Sequence, residues 1–149
     1  MIGWLYLAMD RLRQRRYAEN HGRIGEDLAH RYLRSHGCTV VARNYRTLSG
    51  SGEIDLVVWD GVRLAFIEVK TRSATEFGPP EGAVDAEKRE RLRIAAREYA
   101  RHADVPWPKT RFDIGSISLE GKPRIEWLRD AFWARVHREF GIGVGKSRG

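Results

Sequence analysis

Three charged residues stand in otherwise apolar stretches of the sequence, and their types could support metal-dependent chemistry. Asp55 lies within "EIDLVVW", and Glu68 and Lys70 lie within "LAFIEVK". Burial of a charge costs free energy unless the charge is paired or bound to an ion. Two carboxylates suit a hard cation such as Mg²⁺ or Mn²⁺, and a lysine can hold a phosphate or the attacking water. Asp…Glu-x-Lys is therefore a minimal set for hydrolysis of a phosphodiester bond.

The dipeptide Asp60-Gly61 predicts a tight hairpin turn between these two stretches. We expect a two-residue loop in which Trp59 faces Val62. In that register Asp55 and Glu68 are diagonal neighbours, about 7–8 Å apart at the backbone. The charged face then carries Glu53, Asp55, Val57, Trp59, Leu64, Phe66, Glu68 and Lys70, and the apolar face carries Ile54, Leu56, Val58, Ala65, Ile67 and Val69. A salt-bridged polar face exposed to solvent would show the same pattern, so both interpretations stay open.

A third acidic candidate lies on a helix predicted over residues 22–37 and ended by Gly37. The apolar face of this helix consists of Ile24, Leu28, Ala29 and Tyr32, with Leu33 at its edge. On the helical wheel Glu26 falls within about 20° of Leu33, whereas Asp27 points away. Glu26 could complete the ligand set, or it could serve only as a first-turn acid that favours the helix dipole.

Lys88 lies on a second predicted helix, over roughly residues 81–103. The apolar face of that helix consists of Val84, Leu92, Ala95 and Tyr99, and Lys88 lies in its middle. A lysine at such a position either extends along the apolar surface toward water or reaches the carboxylates or a bound phosphate.

The remaining elements complete one mixed α/β domain. Residues 38–46 are a predicted strand, residues 110–119 and 124–129 a second hairpin, and residues 130–140 a final helix. The order helix, three strands, helix, two strands, helix predicts a sheet with helices packed on it.

Length and charge limit the class of protein. A chain of 149 residues with 42% hydrophobic residues is one folded domain. We expect the domain to span residues 22–140, after a leader of residues 1–21 that is irregular or helical and before a flexible tail of residues 141–149. Twenty-seven basic against 20 acidic residues give a net charge of +7. This balance favours a polyanion such as nucleic acid as partner, although a merely soluble basic protein would show it too.

The single cysteine and the N-terminus exclude further classes. Cys38 is the only cysteine, so neither an internal disulfide nor a cysteine zinc cluster can form, and we expect it in the core. The opening "MIGWLYLAM" is too short to span a bilayer. Its positive charges follow the apolar stretch, whereas a secretory signal has them before it. We therefore expect a cytoplasmic protein without a membrane span.

Several short motifs occur together in one order: Gly25-Glu26, "RNYR", "GEIDLV", "IEVKTR", "FGPPEGAV", Lys88, "RFDI" and "DAF". From about Gly22 to Phe132 the sequence resembles the YraN family, small bacterial proteins related to Holliday junction resolvases and to the restriction-endonuclease-like fold. The resemblance implies a mixed central sheet flanked by helices. It also implies that Glu26, Asp55 and Glu68 are metal ligands and that Lys70 is the catalytic lysine.

The first functional hypothesis is a Mg²⁺- or Mn²⁺-dependent endonuclease acting on DNA, with branched and single-stranded DNA among its candidate substrates. Candidate phosphate contacts are Arg43, Arg46, Arg72, Lys88 and Arg89. One rival is a non-catalytic nucleic-acid-binding module with the same fold. Another is an interaction protein that docks a protein partner at the charged end of the sheet. Because related resolvases act as dimers, the resemblance also implies a homodimer.

Overall fold

The structure is a computed structural model that describes residues 2–72 and 86–131. Its elements are helix α1 (Ile2–Ser35), strands β1 (Thr39–Arg46), β2 (Glu53–Asp60) and β3 (Arg63–Arg72), helix α2 (Ala86–His102), a short 3₁₀ helix (Trp107–Lys109), and strands β4 (Thr110–Ser118) and β5 (Arg124–Leu128). In the described ranges, neither long helix has an apolar stretch that could cross a bilayer.

The five strands form one sheet in the order β1-β2-β3-β4-β5. All neighbours are antiparallel except β3 and β4, which are parallel and joined through α2. The predicted α/β class and both hairpins are thereby confirmed, and the mixed sheet with flanking helices is consistent with a restriction-endonuclease-like fold. Asp130 and Ala131, the first residues of the predicted final helix, lie in a turn. The rest of that helix and residues 141–149 lie outside the described residues.

One helix packs on each face of the sheet. The α1 side of the core consists of Ala29, Leu33, Cys38, Leu56, Val58, Ala65, Ile67 and Ile117. The α2 side consists of Ile54, Val57, Leu64, Phe66, Leu92, Ala95, Ala96, Ala100, Phe112 and Ile114. Strands β2 and β3 are thus covered on both faces, which explains why both read as apolar runs. The predicted burial of Cys38 is confirmed.

Helix α1 begins at Ile2, so the leader has the helical one of its two predicted forms, and the predicted helix start at residue 22 lies inside α1. The helix ends at Ser35, and Gly37 follows with φ +82°. Ile24, predicted in the apolar face, is 49% exposed. The sheet is met instead by Gly25, where an added Cβ would lie 2.3 Å from Thr71 Oγ1. Because Gly25 has no side chain, α1 can lie this close to β3, and the buried face of the helix includes Gly25 rather than Ile24.

The central hairpin has a different register from the predicted one. Asp60 pairs with Arg63, so the loop consists of Gly61 and Val62 rather than Asp60 and Gly61. Gly61 has φ +60°, a backbone conformation that favours glycine at this loop position. The Asp60 carboxylate accepts a hydrogen bond from Arg111 Nη2 at 2.8 Å, which ties Asp60 to the sheet. Continuing the observed register places Asp55 directly opposite Glu68 instead of diagonally.

The alternation of β2 changes at Asp55. Ile54 and Val57 both belong to the α2 side of the core, whereas Leu56 belongs to the α1 side, so the prediction that Ile54 shares a face with Leu56 is wrong. The register with β1 places Asn44 across from Asp55, and Asn44 has φ +49°. This left-handed residue interrupts the regular pleat at that level. The Asp55 side chain uses the irregularity to accept a hydrogen bond from the Val69 backbone N–H at 2.7 Å.

Helix α2 meets the start of β2 at Gly52. A Cβ added there would lie 2.6 Å from the Arg91 carbonyl oxygen and 2.8 Å from the Ala95 nitrogen. Backbone atoms cannot move aside as a flexible side chain can, so glycine is what allows the helix to lie this close. The predicted apolar residues Leu92 and Ala95 are buried and Tyr99 packs against them, while Val84 lies outside the described residues.

A second polar cluster is buried between β4 and β5. The Asp113 carboxylate is fully buried and accepts hydrogen bonds from the Arg111 guanidinium, the Trp127 indole N–H at 2.9 Å and the Asp130 backbone N–H at 3.0 Å. Arg111 also contacts Asp60 on β2. Every oxygen of Asp113 is therefore satisfied, and the cluster joins three strands of the sheet and the turn after β5.

Candidate active site

Asp55 and Glu68 lie side by side near the ends of β2 and β3 away from the hairpin turn. They lie close enough for each to perturb the ionisation of the other, and one Asp55 oxygen also accepts the Val69 N–H. Two carboxyl groups this close repel each other when both are ionised, unless one of them holds a proton or a cation lies between them. The predicted proximity of the two residues is therefore present in the structure, although it arises from a different register.

The pKa values of both carboxyl groups are raised above their ordinary values. Burial is the largest cause, and it raises the pKa of Glu68 to about 8 and the pKa of Asp55 to about 6. For Glu68 the neighbouring Asp55 charge raises the pKa further, while Lys88 lowers it. For Asp55 the bond from Val69 opposes the increase and the Glu26 charge adds to it. The pair therefore shares a proton near neutral pH.

Three arginines around the pair are engaged by other acids. Among the described residues, Arg43 pairs with Asp27 and Glu26, and Arg46 and Arg91 pair with Glu53, so these three arginines form ion pairs with other acids. Lys70, two residues beyond Glu68, is half-buried and forms no ion pair within the same ranges. The interpretation of Asp55, Glu68 and Lys70 as a salt-bridged, solvent-exposed face does not fit this arrangement.

Glu26 lies beside the pair but is held by other residues. Its Oε2 accepts a hydrogen bond from Asn44 Nδ2 at 3.1 Å and lies 3.6 Å from Arg43 Nη2. It is close enough that its charge contributes to the raised pKa of Asp55. Within residues 2–72 and 86–131, however, three acidic, imidazole or thiol groups do not converge as a ready ligand set. The structure thus brings Asp55 and Glu68 together and leaves Glu26 adjacent to them.

Two residues at the site had no predicted role. Glu53 also raises the pKa values of Asp55 and Glu68, and its carboxylate lies 3.5 Å from Arg91 and 3.8 Å from Arg46. Its position on the charged strand was a signal that could have identified it. Asn44 could not be identified in this way, because its left-handed backbone leaves no mark in a pattern of alternation.

The predicted phosphate contacts differ in their surroundings. Arg43 is 2.8 Å from Asp27 and also pairs with Glu26, so its charge is engaged by α1. Arg46 is well exposed and lies near Glu53. Arg72 and Arg89 are half-buried, and Lys88 is exposed at the start of α2, as expected of a lysine that extends toward water from the face of Leu92. Its charge nevertheless acts on Glu68 from the first turns of α2.

The shared proton predicts a pH dependence of stability. The folded protein keeps protons that the unfolded chain has released, so the free energy of unfolding attributable to the pair falls as pH rises from about 4 to about 8. Glu68→Gln keeps a donor toward Asp55 and cannot ionise. We compare the free energy of unfolding of the variant with that of the wild type at each pH. Between pH 5 and pH 8.5 we expect this difference to change in favour of the variant by on the order of 2 kcal/mol.

Urea denaturation of both proteins in chelator at each pH measures this difference. Comparison with the variant cancels other titrations common to both, including that of His30, whose pKa is lowered chiefly by burial. A stability difference that stays constant over this pH range would contradict the shared proton.

The fold and the site together define an α/β protein with a half-buried carboxyl pair at one end of a mixed sheet. The chain belongs to the family described as "Uncharacterised protein family UPF0102", whose model matches residues 25–117. This is the YraN family that the sequence motifs predicted.

Curated relatives cover most of the chain. A UPF0102 protein of Solibacter usitatus is 77% identical over 132 residues, which are 89% of this chain and 100% of the relative. A UPF0102 protein of Koribacter versatilis is 48% identical over 112 residues, 74% of this chain and 78% of the relative. One of Rhodococcus opacus is 42% identical over 113 residues, 74% and 94% of the two chains.

Proposed function

We propose that this protein is a metal-dependent nuclease that hydrolyses phosphodiester bonds of DNA at the Asp55–Glu68 pair. The observation that carries the proposal is the pair itself. Two half-buried carboxyl groups lie side by side, where their charges repel each other, and the neighbouring Arg43, Arg46 and Arg91 pair with other acids. Such an arrangement lowers the stability of the fold above neutral pH, and a functional role would account for that cost.

The residues fit a divalent cation. Two carboxyl groups that share a proton are also placed to share a cation, because either one relieves their repulsion. Ligation by oxygen alone suits Mg²⁺ or Mn²⁺. Asp55 and Glu68 would hold the ion, and Glu26 would assist from α1. A bound ion of this kind would neutralise charge on the phosphate and lower the pKa of a water molecule.

The neighbouring groups supply orientation and charge. The Val69 N–H fixes one oxygen of Asp55, so this carboxyl group is oriented before any substrate binds. Lys70 follows Glu68 by two residues and has three N–H donors. It would orient the attacking water or stabilise the charge of the pentavalent phosphate. Flanking phosphates would be bound by Arg46, Arg72, Lys88 and Arg89. The homodimer stays a prediction.

A nuclease assay with purified full-length protein tests the proposal. We expect cleavage of at least one of linear, forked and four-way DNA in Mn²⁺ or Mg²⁺, and its loss in EDTA. Lys70→Gln should lower the rate on the order of 10²-fold at unchanged metal affinity, since Lys70 stabilises charge without ligating the ion. Lys109→Gln is the matched control, because Lys109 is exposed near the opposite end of the sheet.

Two results would count against a nuclease. One is folded protein that cleaves none of these substrates with either metal. The other is cleavage that persists in EDTA or in Lys70→Gln, which would indicate a contaminating enzyme or a different site.

A further inference from the structure

The N-terminal half of α1 extends past the end of the sheet that carries the carboxyl pair. Gly25 packs against Thr71, near the end of β3. Cys38, just after the helix, lies beside Asp60 at the hairpin end, with its Sγ 3.8 Å from Asp60 Oδ1. Helix α1 therefore runs antiparallel to β3. Its residues before Gly25 continue beyond the strand at the end where Asp55 and Glu68 lie.

This extension is basic and exposed. We call residues 9–20 of α1 the basic arm. Every arm residue whose side chain is described is exposed, and these residues are Met9, Arg11, Leu12, Arg13, Arg15, Arg16, Glu19 and Asn20. Four arginines stand within six positions of the arm. A helical arm with this density of guanidinium groups is complementary to a polyanion.

Two of the four arginines lie on the side of the helix that carries Glu26. With 100° and 1.5 Å per residue, Arg15 lies within about 20° of Glu26 around the helix and about 16 Å from it along the axis. Arg11 lies within about 60° and about 22 Å away. Arg13 and Arg16 lie about 140° and 80° from Glu26. Arg11 and Arg15 therefore form a ridge on the side of the carboxyl pair.

We infer that Arg11 and Arg15 bind backbone phosphates of a nucleic acid whose reacting phosphate lies at the Asp55–Glu68 pair. This inference rests on the proposed function. At 3.4 Å per base pair, a duplex that runs along α1 would meet the ridge about five to seven base pairs beyond the level of Glu26. The arm lies outside residues 25–117, so it adds a contact surface to the domain that the family model covers.

A nucleic acid fits the arm better than an anionic membrane. A helix that lies on a bilayer separates an apolar face from its charged face. In the arm, the exposed apolar residues Met9 and Leu12 lie within about 20–60° of arginines around the helix. Insertion of these two residues into a bilayer would bring the guanidinium groups of Arg13 and Arg16 toward the acyl chains.

Paired variants of the full-length protein test the ridge. Arg11→Gln/Arg15→Gln removes it, and Arg13→Gln/Arg16→Gln changes charge equally in the same segment, with glutamine keeping helix propensity. Binding to a 20-base-pair duplex is measured as a function of salt. We expect the ridge variant to lower the slope of log affinity against log salt by about 1.8, which corresponds to two phosphates. We expect the control variant to change the slope by less than half as much.

Each outcome separates the ridge from the proposed nuclease. Equal slopes in both variants, or a wild-type slope in the ridge variant, would overturn the ridge while leaving cleavage untouched. Wild-type protein that binds no DNA at low salt would overturn both. Arginine-dependent binding to phosphatidylglycerol vesicles in the absence of DNA binding would assign the arm to membranes instead. A ridge effect in a protein that cleaves no DNA would support the ridge and reject the nuclease.

Discussion

Asp55→Asn is expected to abolish metal-dependent cleavage of DNA while leaving the fold intact. Asparagine has nearly the same shape as aspartate, and its side-chain oxygen can still accept the Val69 N–H. It has no charge to offset a divalent ion, so metal affinity should fall sharply. Loss of several kcal/mol of charge stabilisation corresponds to a rate reduction of at least about 10²-fold. Single-turnover cleavage at saturating enzyme measures this loss.

Thermal unfolding gives a second measurement of the same variant. In the absence of metal and above about pH 8, where Glu68 has lost the shared proton, Asp55→Asn should be slightly more stable than the wild type, since it removes one of two mutually repelling charges. Mn²⁺ at 100 times its dissociation constant should stabilise the wild type by about 2.7 kcal/mol and the variant far less. Asp104→Asn makes the same chemical change at an exposed turn where the backbone has φ +54°. A destabilised Asp55→Asn protein, together with a wild type that does not respond to metal, would reject the ion site.

Asp113→Asn is expected to cause the largest loss of stability of any single isosteric change at the described polar residues. The Asp113 carboxylate accepts bonds from Arg111, Trp127 and the Asp130 N–H and is fully buried. An amide would direct donor hydrogens at some of these donors and would leave the buried Arg111 with less compensating charge. Removing one partner of a buried ion pair costs about 3–5 kcal/mol.

Urea unfolding at pH 7 measures this cost, and the midpoint of thermal unfolding should fall by roughly 10 °C or more. Glu126→Gln is the matched control, because Glu126 is an exposed acid on the neighbouring strand β5. We expect this control within about 0.5 kcal/mol of the wild type. A loss below 1 kcal/mol for Asp113→Asn would mean that the cluster contributes little net stability.

The proximity of Asp55 and Glu68 could be predicted because it depends only on local rules. Strands alternate with period two, and Asp60-Gly61 indicates a reversal of the chain between them. The exact register could not be read, because the sequence allows the two-residue loop to begin at Asp60 or at Gly61. In the observed register Asp60 lies in the strand and accepts a hydrogen bond from Arg111, fifty-one positions away, a contact that the local sequence does not show.

The features that were missed all depend on contacts between distant elements. Ile24 fits an apolar helical face as well as its neighbours do, and only the approach of Thr71 to Gly25 shows that the helix is rotated. The phase change at Asp55 lies across from the left-handed backbone of Asn44 in another strand. The four-residue motif "RFDI" contains Arg111 and Asp113, but their partners come from the end of β2 and from β5. Periodicity has no information about such partners.

The single parallel pairing in the sheet has a consequence for the order of folding. Strands β1, β2 and β3 are antiparallel neighbours in sequence, and so are β4 and β5, so each group closes only short loops. The β3–β4 pairing must close the long connection that contains α2, which carries a larger entropic cost. We expect the two groups to form early and to dock late. Substitutions in the β2–β3 hairpin should then slow folding, whereas substitutions at the β3–β4 contact should mainly accelerate unfolding.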